Sequence, residues 1–223
     1  MDRNTNSQFH EYTYLDSQPH HHHAYLITPL RQMLEQASPV NVDRLRVLDL
    51  GCGNGSLTQE IARHGYEVIG VEESASGIEA AHQQNTHACQ FLQGSVYNLP
   101  YEQLSEPFDV VIAAEVIEHL LYPRELIRSA RKCLKPNGRL IVTTPYHGYW
   151  KNLVLALSGK MDGHFTVLWD GGHIKFFSVK TLSLLLEQEG FTDTQFKFAG
   201  RYPYLWKSML CSSTPIQAPF HQS

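Results

Sequence analysis

Short apolar runs alternate with amphipathic stretches along the middle of the chain, a pattern that predicts strands alternating with helices. The run from Arg46 to Leu50 is aliphatic and ends at glycines, which is typical of a buried strand in a parallel sheet. Further strands are predicted at Tyr66 to Val71, Phe91 to Val96, Phe108 to Ala113, Arg139 to Thr144, Phe191 to Phe198 and Tyr204 to Ser212. The last two are expected to form an antiparallel hairpin.

Apolar residues spaced three or four positions apart predict the helices. Leu57 and Ile61 belong to a helix that ends near Gly65, and Ser178 is a suitable N-cap for the last helix. The other predictions are helices at Leu26 to Leu34, Ser74 to Gln84, Arg124 to Leu134 and Leu182 to Glu189, and a turn at Lys135 to Gly138.

Three glycines, Gly51, Gly53 and Gly55, follow the first predicted strand, and Asp49 precedes them. Their spacing is G-x-G-x-G, whereas dinucleotide sites carry G-x-G-x-x-G, and a carboxylate at this place would repel a pyrophosphate. The pattern therefore disfavours a dehydrogenase and favours a cationic nucleoside ligand. Glu72 ends the second predicted apolar run, where an acid accepts hydrogen bonds from ribose hydroxyls in nucleotide-binding sheets.

The run VLDLGCGNG at residues 47–55 resembles the first motif of the class I S-adenosylmethionine (SAM) methyltransferases. The resemblance extends from about Arg46 to about Ser212. It implies a doubly wound α/β fold, with a seven-stranded, mostly parallel, Rossmann-like sheet, an antiparallel last strand and helices on both faces. The cofactor contacts that it implies are Asp49, Gly51, Cys52, Gly53, Gly55, Glu72, Glu73, Ser95, Val96 and Glu115.

The motif E-x-x-E-H occupies residues 115–119, after the fourth predicted strand. If it is helical, Glu115, Glu118 and His119 project from one face at the carboxyl ends of the strands. The motif is similar to one in ubiquinone-pathway O-methyltransferases and small-RNA 2′-O-methyltransferases, where it is associated with a divalent metal and a second histidine, which His173 resembles. Two interpretations stay open: a metal bound by Glu115, Glu118, His119 and His173, or a metal-free general base at His119 or His173. The candidate catalytic residues are therefore His119, His173 and Glu118.

Residues 145–177 form a segment that a minimal fold of this kind does not require, and the segment is rich in aromatic residues and histidines. Long insertions usually carry function, and aromatic walls suit a small acceptor. The predicted substrate contacts are Tyr146, His147 and Trp150, joined by Tyr202 near the end of the chain. A satellite core or a dimer contact is the alternative interpretation, so a monomer and a homodimer both stay open.

Composition narrows the choice of partner and location. The formal net charge is −4, and the 18 lysines and arginines form no block, which disfavours a nucleic-acid acceptor. No apolar run approaches the roughly 18 to 20 residues of a membrane span, and no secretory signal is visible at the start, so a cytoplasmic location is expected. The four cysteines are scattered and are expected to be reduced.

The predicted organisation has an N-terminal arm and lid helix at residues 1–45, a methyltransferase domain at 46–212 and a flexible tail at 213–223. The lid helix either packs beside the SAM site or covers the sheet edge. His20 to His23 are either the native start of that helix, a metal-binding tract or the remnant of a tag. The predicted function is SAM-dependent in-line methylation of a hydroxyl group on a small molecule. The alternatives are a metal-dependent RNA-end 2′-O-methyltransferase and a non-catalytic SAM-binding regulator.

Overall fold

The computed structural model describes residues 24–37, 44–85, 89–165 and 167–217. Its strands are Arg46–Leu50 (β1), Glu67–Glu72 (β2), Gln90–Gln93 (β3), Phe108–Ala114 (β4), Leu134–Pro145 (β5), Phe191–Ala199 (β6) and Ser208–Pro215 (β7). Its helices are Ala24–Ala37 (α1), Ser56–Arg63 (α2), Ala75–Gln83 (α3), Tyr101–Leu104 (α4), Pro123–Cys133 (α5), Tyr149–Leu157 (α6), Met161–Phe165 (α7) and Val179–Gln188 (α8). The predicted arm and His20 to His23 lie outside the described residues.

The seven strands form one sheet in the order β3-β2-β1-β4-β5-β7-β6. β7 is antiparallel to both of its neighbours, and the other pairs are parallel. This arrangement confirms the predicted fold class. The strand order reverses between β1 and β4, and the carboxyl ends of strands at such a switch point are where open α/β sheets bind ligands.

Alternation along the strands gives each face of the sheet its own core. Val47 and Val110 pack with α1 and α2 on one face, whereas Leu48 and Val111 pack with α5 and α8 on the other. Successive side chains of a strand point to opposite faces, so strands buried on both sides are apolar throughout. None of the described helices is both long enough and apolar enough to cross a membrane.

Helix α1 packs across one face of the sheet, where it contacts β4, β5, β6 and β7. Four apolar side chains spaced along one side of it are buried: Leu26, Leu30, Met33 and Leu34. The helix therefore covers one face of the sheet, including the edge strand β6. Near its first residue, the Tyr25 hydroxyl lies 2.8 Å from the hydroxyl of Ser208 on β7, so this end of the helix reaches the carboxyl end of β5.

The structure corrects three predicted boundaries. β3 ends at Gln93 and not at Val96, because Ser95 leaves the sheet to form an isolated bridge with Asn98. β7 begins at Ser208 and not at Tyr204, because Tyr204 has a φ of +66° that is incompatible with a strand. β7 also continues to Pro215, so residues 213–215 pair in the sheet and are not part of a tail.

The turn predicted at Lys135 to Gly138 lies inside β5. The pairing with β4 passes from Phe108 opposite Leu134 to Val110 opposite Arg139, so residues 135–138 form an irregularity in the strand. The Lys135 ammonium donates to the Asp109 carboxylate at 2.8 Å, which fastens this irregularity to β4. The turn-forming residues are therefore absorbed as a bulge by the pairing on either side.

Candidate active site

The glycine loop takes a conformation that only glycine adopts easily. Gly51, Gly53 and Gly55 have φ values of +75°, +56° and +74°. A Cβ on Gly51 would lie 2.5 Å from Cγ2 of Val116. The N–H groups of Gly51 and Cys52 both donate to the carbonyl of Val71, which ties the loop to β2. The loop, in which Cys52 is buried, is thus held close to the ends of β1 and β2.

Asp49 lies under this loop with one carboxyl oxygen unsatisfied. The side chain is 1% exposed, and its Oδ2 accepts a hydrogen bond from the Thr58 hydroxyl at 2.7 Å. Oδ1 is buried and has no hydrogen-bond partner in the described part of the chain. Burial raises the pKa of Asp49 to about 6. Thr58, which the sequence analysis missed, therefore fixes an acid whose other oxygen is available to a donor such as an ammonium group.

Glu72 also belongs to the structure of the loop. Its carboxylate accepts the N–H of Gly53 at 3.0 Å and the N–H of Ser74 at 2.9 Å. Burial raises the pKa of Glu72, although these two backbone donors oppose the shift. The acid is therefore fixed in orientation at the carboxyl end of β2, where it was predicted to lie.

Glu73 and Ser95 come together as neighbours of this acid. The Ser95 hydroxyl donates to Oε2 of Glu73 at 3.1 Å. An open depression of about 430 Å³ lies at this place and is lined by Glu73, Gln93, Gly94, Ser95, Asn98, Leu99 and Pro100. Val96 is buried, and its carbonyl accepts a hydrogen bond from Ser129, so its side chain does not line the depression.

Glu115 does not share a helical face with Glu118 and His119, so the condition under which the three side chains would project together is not met. Only Ile117–His119 forms a single 3-10 turn, and Glu115 has a φ of +55°. The N–H of Glu115 donates to the Thr143 carbonyl at 3.1 Å, and its carboxylate accepts from the hydroxyls of Thr143 at 2.8 Å and Ser208 at 3.3 Å. Burial raises the pKa of Glu115 to about 7. Contacts with β5 and β7 therefore fix the carboxylate of Glu115.

Glu118 is fully buried, and neither of its carboxyl oxygens has a hydrogen-bond partner within the described ranges. The Thr144 hydroxyl approaches it without reaching hydrogen-bonding geometry. Burial, reinforced by the charge of Glu115, raises the pKa of Glu118. The backbone carbonyl of Glu118 accepts the N–H groups of Ile174 and Lys175, both at 2.9 Å. These bonds hold the following histidine loop against the 3-10 turn.

His119 and His173 both lie beside Glu118. Oε1 of Glu118 is 4.0 Å from Nε2 of His173, and the two imidazole rings are 4.8 Å apart. Nδ1 of His119 is 2.8 Å from the Gly171 carbonyl, which can only accept, so Nδ1 carries the proton and Nε2 is the basic nitrogen. Burial lowers the pKa of His119 and favours this neutral form. One ligand atom from each of Glu118, His119 and His173 lies within 4.8 Å of the others, and Glu115 is not in this group.

The insertion brings some of the predicted substrate residues together and leaves others apart. His147 is buried, stacks on Phe165 and contacts the ring of Phe176 edge-on. Tyr146 packs separately, against the rings of Phe198 and Trp206. Trp150 and Tyr202 are 59% and 79% exposed, and no ring contact among the described residues joins either of them to His147.

Lys151 is a buried residue of the insertion that the sequence analysis also missed. It is 5% exposed, and its ammonium donates to the Tyr146 carbonyl at 2.8 Å. A single lysine inside a run of aromatic and aliphatic residues was the available signal, because long charged side chains are seldom fully buried.

Comparison with known proteins gives a family for this arrangement. A family model described as a methyltransferase domain matches residues 20–195. A ubiquinone biosynthesis O-methyltransferase from Bradyrhizobium diazoefficiens is 39% identical over 118 residues, which are 52% of this chain and 45% of the relative. The mitochondrial protein of that description from Schizosaccharomyces pombe is 38% identical over 108 residues, 44% of this chain and 37% of the relative. The chain spans about half the length of the curated relatives it matches, or less.

Solved structures share the fold. The magnesium protoporphyrin IX methyltransferase from Synechocystis PCC 6803 with bound SAH superposes with a TM-score of 0.64 at 18% identity, over 85% of this chain and 82% of that one. The PH0226 protein from Pyrococcus horikoshii OT3 gives a TM-score of 0.65 at 22% identity, over 92% and 94% of the two chains. At this level of identity the likeness shows the architecture alone.

Proposed function

Because the chain belongs to the class I SAM-dependent methyltransferases, we propose that it transfers the methyl group of SAM to a hydroxyl group of a small-molecule acceptor. The observation that carries the cofactor assignment is the unpaired oxygen of buried Asp49 beneath three left-handed glycines. A buried acceptor without a donor is unfavourable, and a ligand ammonium group would satisfy it. A diphosphate at the same place would meet a like charge.

The other parts of SAM are assigned to the neighbouring acids. Glu72 takes the ribose hydroxyls, since its carboxylate is already oriented by the N–H groups of Gly53 and Ser74. Glu73 and Ser95 line the open depression beside it, and we assign the adenine ring to this depression. Glu115 lies at the carboxyl end of β4, and we assign it to the part of SAM that carries the methyl group.

Methyl transfer requires the sulfonium, the methyl carbon and the acceptor oxygen in line, and most of the acceleration comes from this positioning. The acceptor oxygen must also lose its proton. We assign that step to His119 or His173, with Glu118 as the acid that supports them. Nε2 of His119 is a suitable proton acceptor because its other nitrogen donates to Gly171.

The same three residues also fit a divalent metal, which remains the second form of this proposal. The two unpaired oxygens of buried Glu118 and the two adjacent imidazoles are a donor set of the kind that transition metals take. A metal bound there would lower the pKa of an acceptor hydroxyl. Thr143 and Ser208 already occupy the carboxylate of Glu115, so we leave Glu115 out of the ligand set.

A small acceptor is favoured by the net charge of −4 and by the aromatic insertion after β5. The curated relatives named above are O-methyltransferases of ubiquinone biosynthesis, which agrees with a hydroxyl group as the acceptor. Their acceptor is not carried over to this chain.

The proposal is tested by incubating the purified chain with methyl-labelled SAM and fractionated cell extract, with and without EDTA. Label is expected in a small-molecule fraction, and Glu118→Gln is expected to reduce it by at least about tenfold. Glu102→Gln, a change at an exposed acid of α4, serves as the control. Label in RNA would show that the acceptor is RNA and not a small molecule. Binding of SAM without label in any fraction would favour a non-catalytic SAM-binding regulator. Equal labelling with and without EDTA would refute the metal-dependent form of the proposal.

A further inference from the structure

A second polar cluster lies in the insertion, and its His147 is close enough to His173 for their charges to interact. Its members are His147, Lys151, Asn152 and His164, from the start of α6 and from α7. The rings of His147 and His164 are 5.4 Å apart. The side chains of His147 and Asn152 approach each other. By strict geometry, Nδ1 of His147, Oδ1 of Asn152 and Nε2 of His164 are buried without a hydrogen-bond partner in the described part of the chain. Several unsatisfied polar atoms in one place indicate a bound partner, because each of them is unfavourable when left empty.

The charge in this cluster is positive and uncompensated at short range. Lys151 is 5% exposed, and no carboxylate of the described residues lies within 4.0 Å of its ammonium. The charged and titratable groups that act on it are Arg201, Glu115, His147 and His164. Glu115 directs its two oxygens to hydroxyl groups of β5 and β7 and not to the lysine. A buried ammonium without an ion partner is strongly unfavourable, so an anion supplied by a ligand would compensate it.

The surroundings indicate the kind of anion. Phe165 stacks on His147 with an interplanar angle of 14°, and Phe176 contacts it edge-on. The cluster thus combines nitrogen donors with flat apolar walls, a combination that suits a planar group with a charged oxygen, such as a carboxylate or a phenolate. The cluster follows β5 directly, next to the end of β4 where Glu115 lies.

We propose that Lys151, His147 and His164 form a subsite for a negatively charged oxygen group of the methyl acceptor. The inference rests on the proposed function and extends it, because it defines the acceptor as an anion and adds Lys151 and His164 to the binding residues. Acidic residues then surround the cationic cofactor, and basic residues of the insertion hold the acceptor on the other side.

Benzoate and its neutral analogue benzamide test the subsite directly. The full chain is saturated with S-adenosylhomocysteine, and the dissociation constant of each probe is measured by calorimetry or ligand-observed NMR. Benzoate is expected to bind at least about tenfold more tightly than benzamide, because a charge-assisted bond to a buried ammonium is strong. Lys151→Met is expected to remove this preference and Lys151→Arg to keep most of it. Lys160→Met, at an exposed lysine of the same insertion, is the matched control and should change nothing.

The pH dependence gives a second readout. Burial lowers the pKa of Lys151 to about 8, so benzoate affinity should fall as the pH rises above 8 in the parent chain. The fall should be absent in Lys151→Arg, because a guanidinium does not lose its proton in this range. His164→Leu, which keeps the lysine, should weaken benzoate binding about threefold through loss of one neutral donor.

Failure of this inference and failure of the proposed function are distinguishable. If S-adenosylhomocysteine itself does not bind, the methyltransferase proposal falls. If it binds and benzoate does not bind, or binds no better than benzamide, the anion subsite is refuted. An unchanged preference in Lys151→Met would refute it as well. Melting curves of that variant are expected to match or exceed those of the parent chain, because methionine removes a buried charge.

Discussion

Replacing Gly51 with alanine tests whether the glycine loop requires a residue without a Cβ because Val116 packs against it. The φ of Gly51 is +75°, and an added Cβ would lie 2.5 Å from Cγ2 and 3.2 Å from Cγ1 of that valine. A non-glycine residue in the left-handed region costs about 1–2 kcal/mol. Forcing a methyl group into a packed site costs a further ~1–3 kcal/mol. The free energy of unfolding should therefore fall by about 2–5 kcal/mol in Gly51→Ala.

Gly65 supplies the control for the backbone contribution alone. Its φ is +91°, but an added Cβ would meet no atom within 4 Å. Gly65→Ala should lose only about 1–2 kcal/mol, so the difference between the two variants isolates the contact with Val116. Urea unfolding of the ligand-free chain measures both values.

Combining Gly51→Ala with Val116→Ala shows whether the clash lies where the structure places it. Removing the two methyl groups of the valine should recover about 1–3 kcal/mol beyond the sum of the single changes. Gly51→Ala should also weaken S-adenosylhomocysteine binding, whereas Gly65→Ala should not. Equal losses of stability in the two glycine variants, or strict additivity in the double variant, would refute the packing argument.

Three other predictions concern acids and a helix cap. The pKa of Asp49 is about 6 in the folded chain and 3.8 for an ordinary carboxyl group, so the native state binds this proton more tightly than the unfolded state does. The free energy of unfolding should therefore fall by about 3 kcal/mol as the pH rises from about 4 through 6. Melting curves from pH 4 to 7 should show this loss of stability in the parent chain and a smaller loss in Asp49→Asn; an equal loss in the two chains would contradict it. Glu118→Gln should raise the melting temperature of the ligand-free chain at pH 8, because it removes a buried acid without partners, and a lower one would show that the acid is satisfied. Ser178→Ala should cost about 1 kcal/mol in urea unfolding by removing the N-cap of α8, whereas Ser158→Ala, which leaves every helix N-cap in place, should cost less.

Features that depend on neighbouring residues could be predicted from the sequence. β1 was predicted with its observed limits, because an aliphatic run that ends at glycines specifies both the strand and its end. Ser178 was predicted as an N-cap, and its hydroxyl accepts the N–H of Thr181 in a capping box. The alternation of strands and helices was also predicted from the pattern of apolar residues, whereas the mostly parallel sheet was what the resemblance to the methyltransferases implied. In each case, the signal lies within a few residues of the feature.

Features fixed by distant partners could not be predicted this way. A helical turn over residues 115–119 would align Glu115 with Glu118, but Glu115 bonds to Thr143 and Ser208, 28 and 93 residues away, and has a positive φ. Local propensity is a weak preference that tertiary contacts override. Thr58 was missed for the same reason, since nothing near it in the chain indicates that its hydroxyl holds Asp49.

The buried charges explain why these distant contacts matter. Burial raises the pKa values of Asp49, Glu115 and Glu118. In the absence of a ligand, these acids are therefore partly neutral. A cationic cofactor would favour their ionised forms, and the resulting protons would be released on binding. The left-handed backbone of Glu115 indicates that the fold accepts local strain to keep an acid at this position. Proton release measured by calorimetry in buffers of different ionisation enthalpy should therefore accompany SAM binding near pH 6, and should diminish in Asp49→Asn.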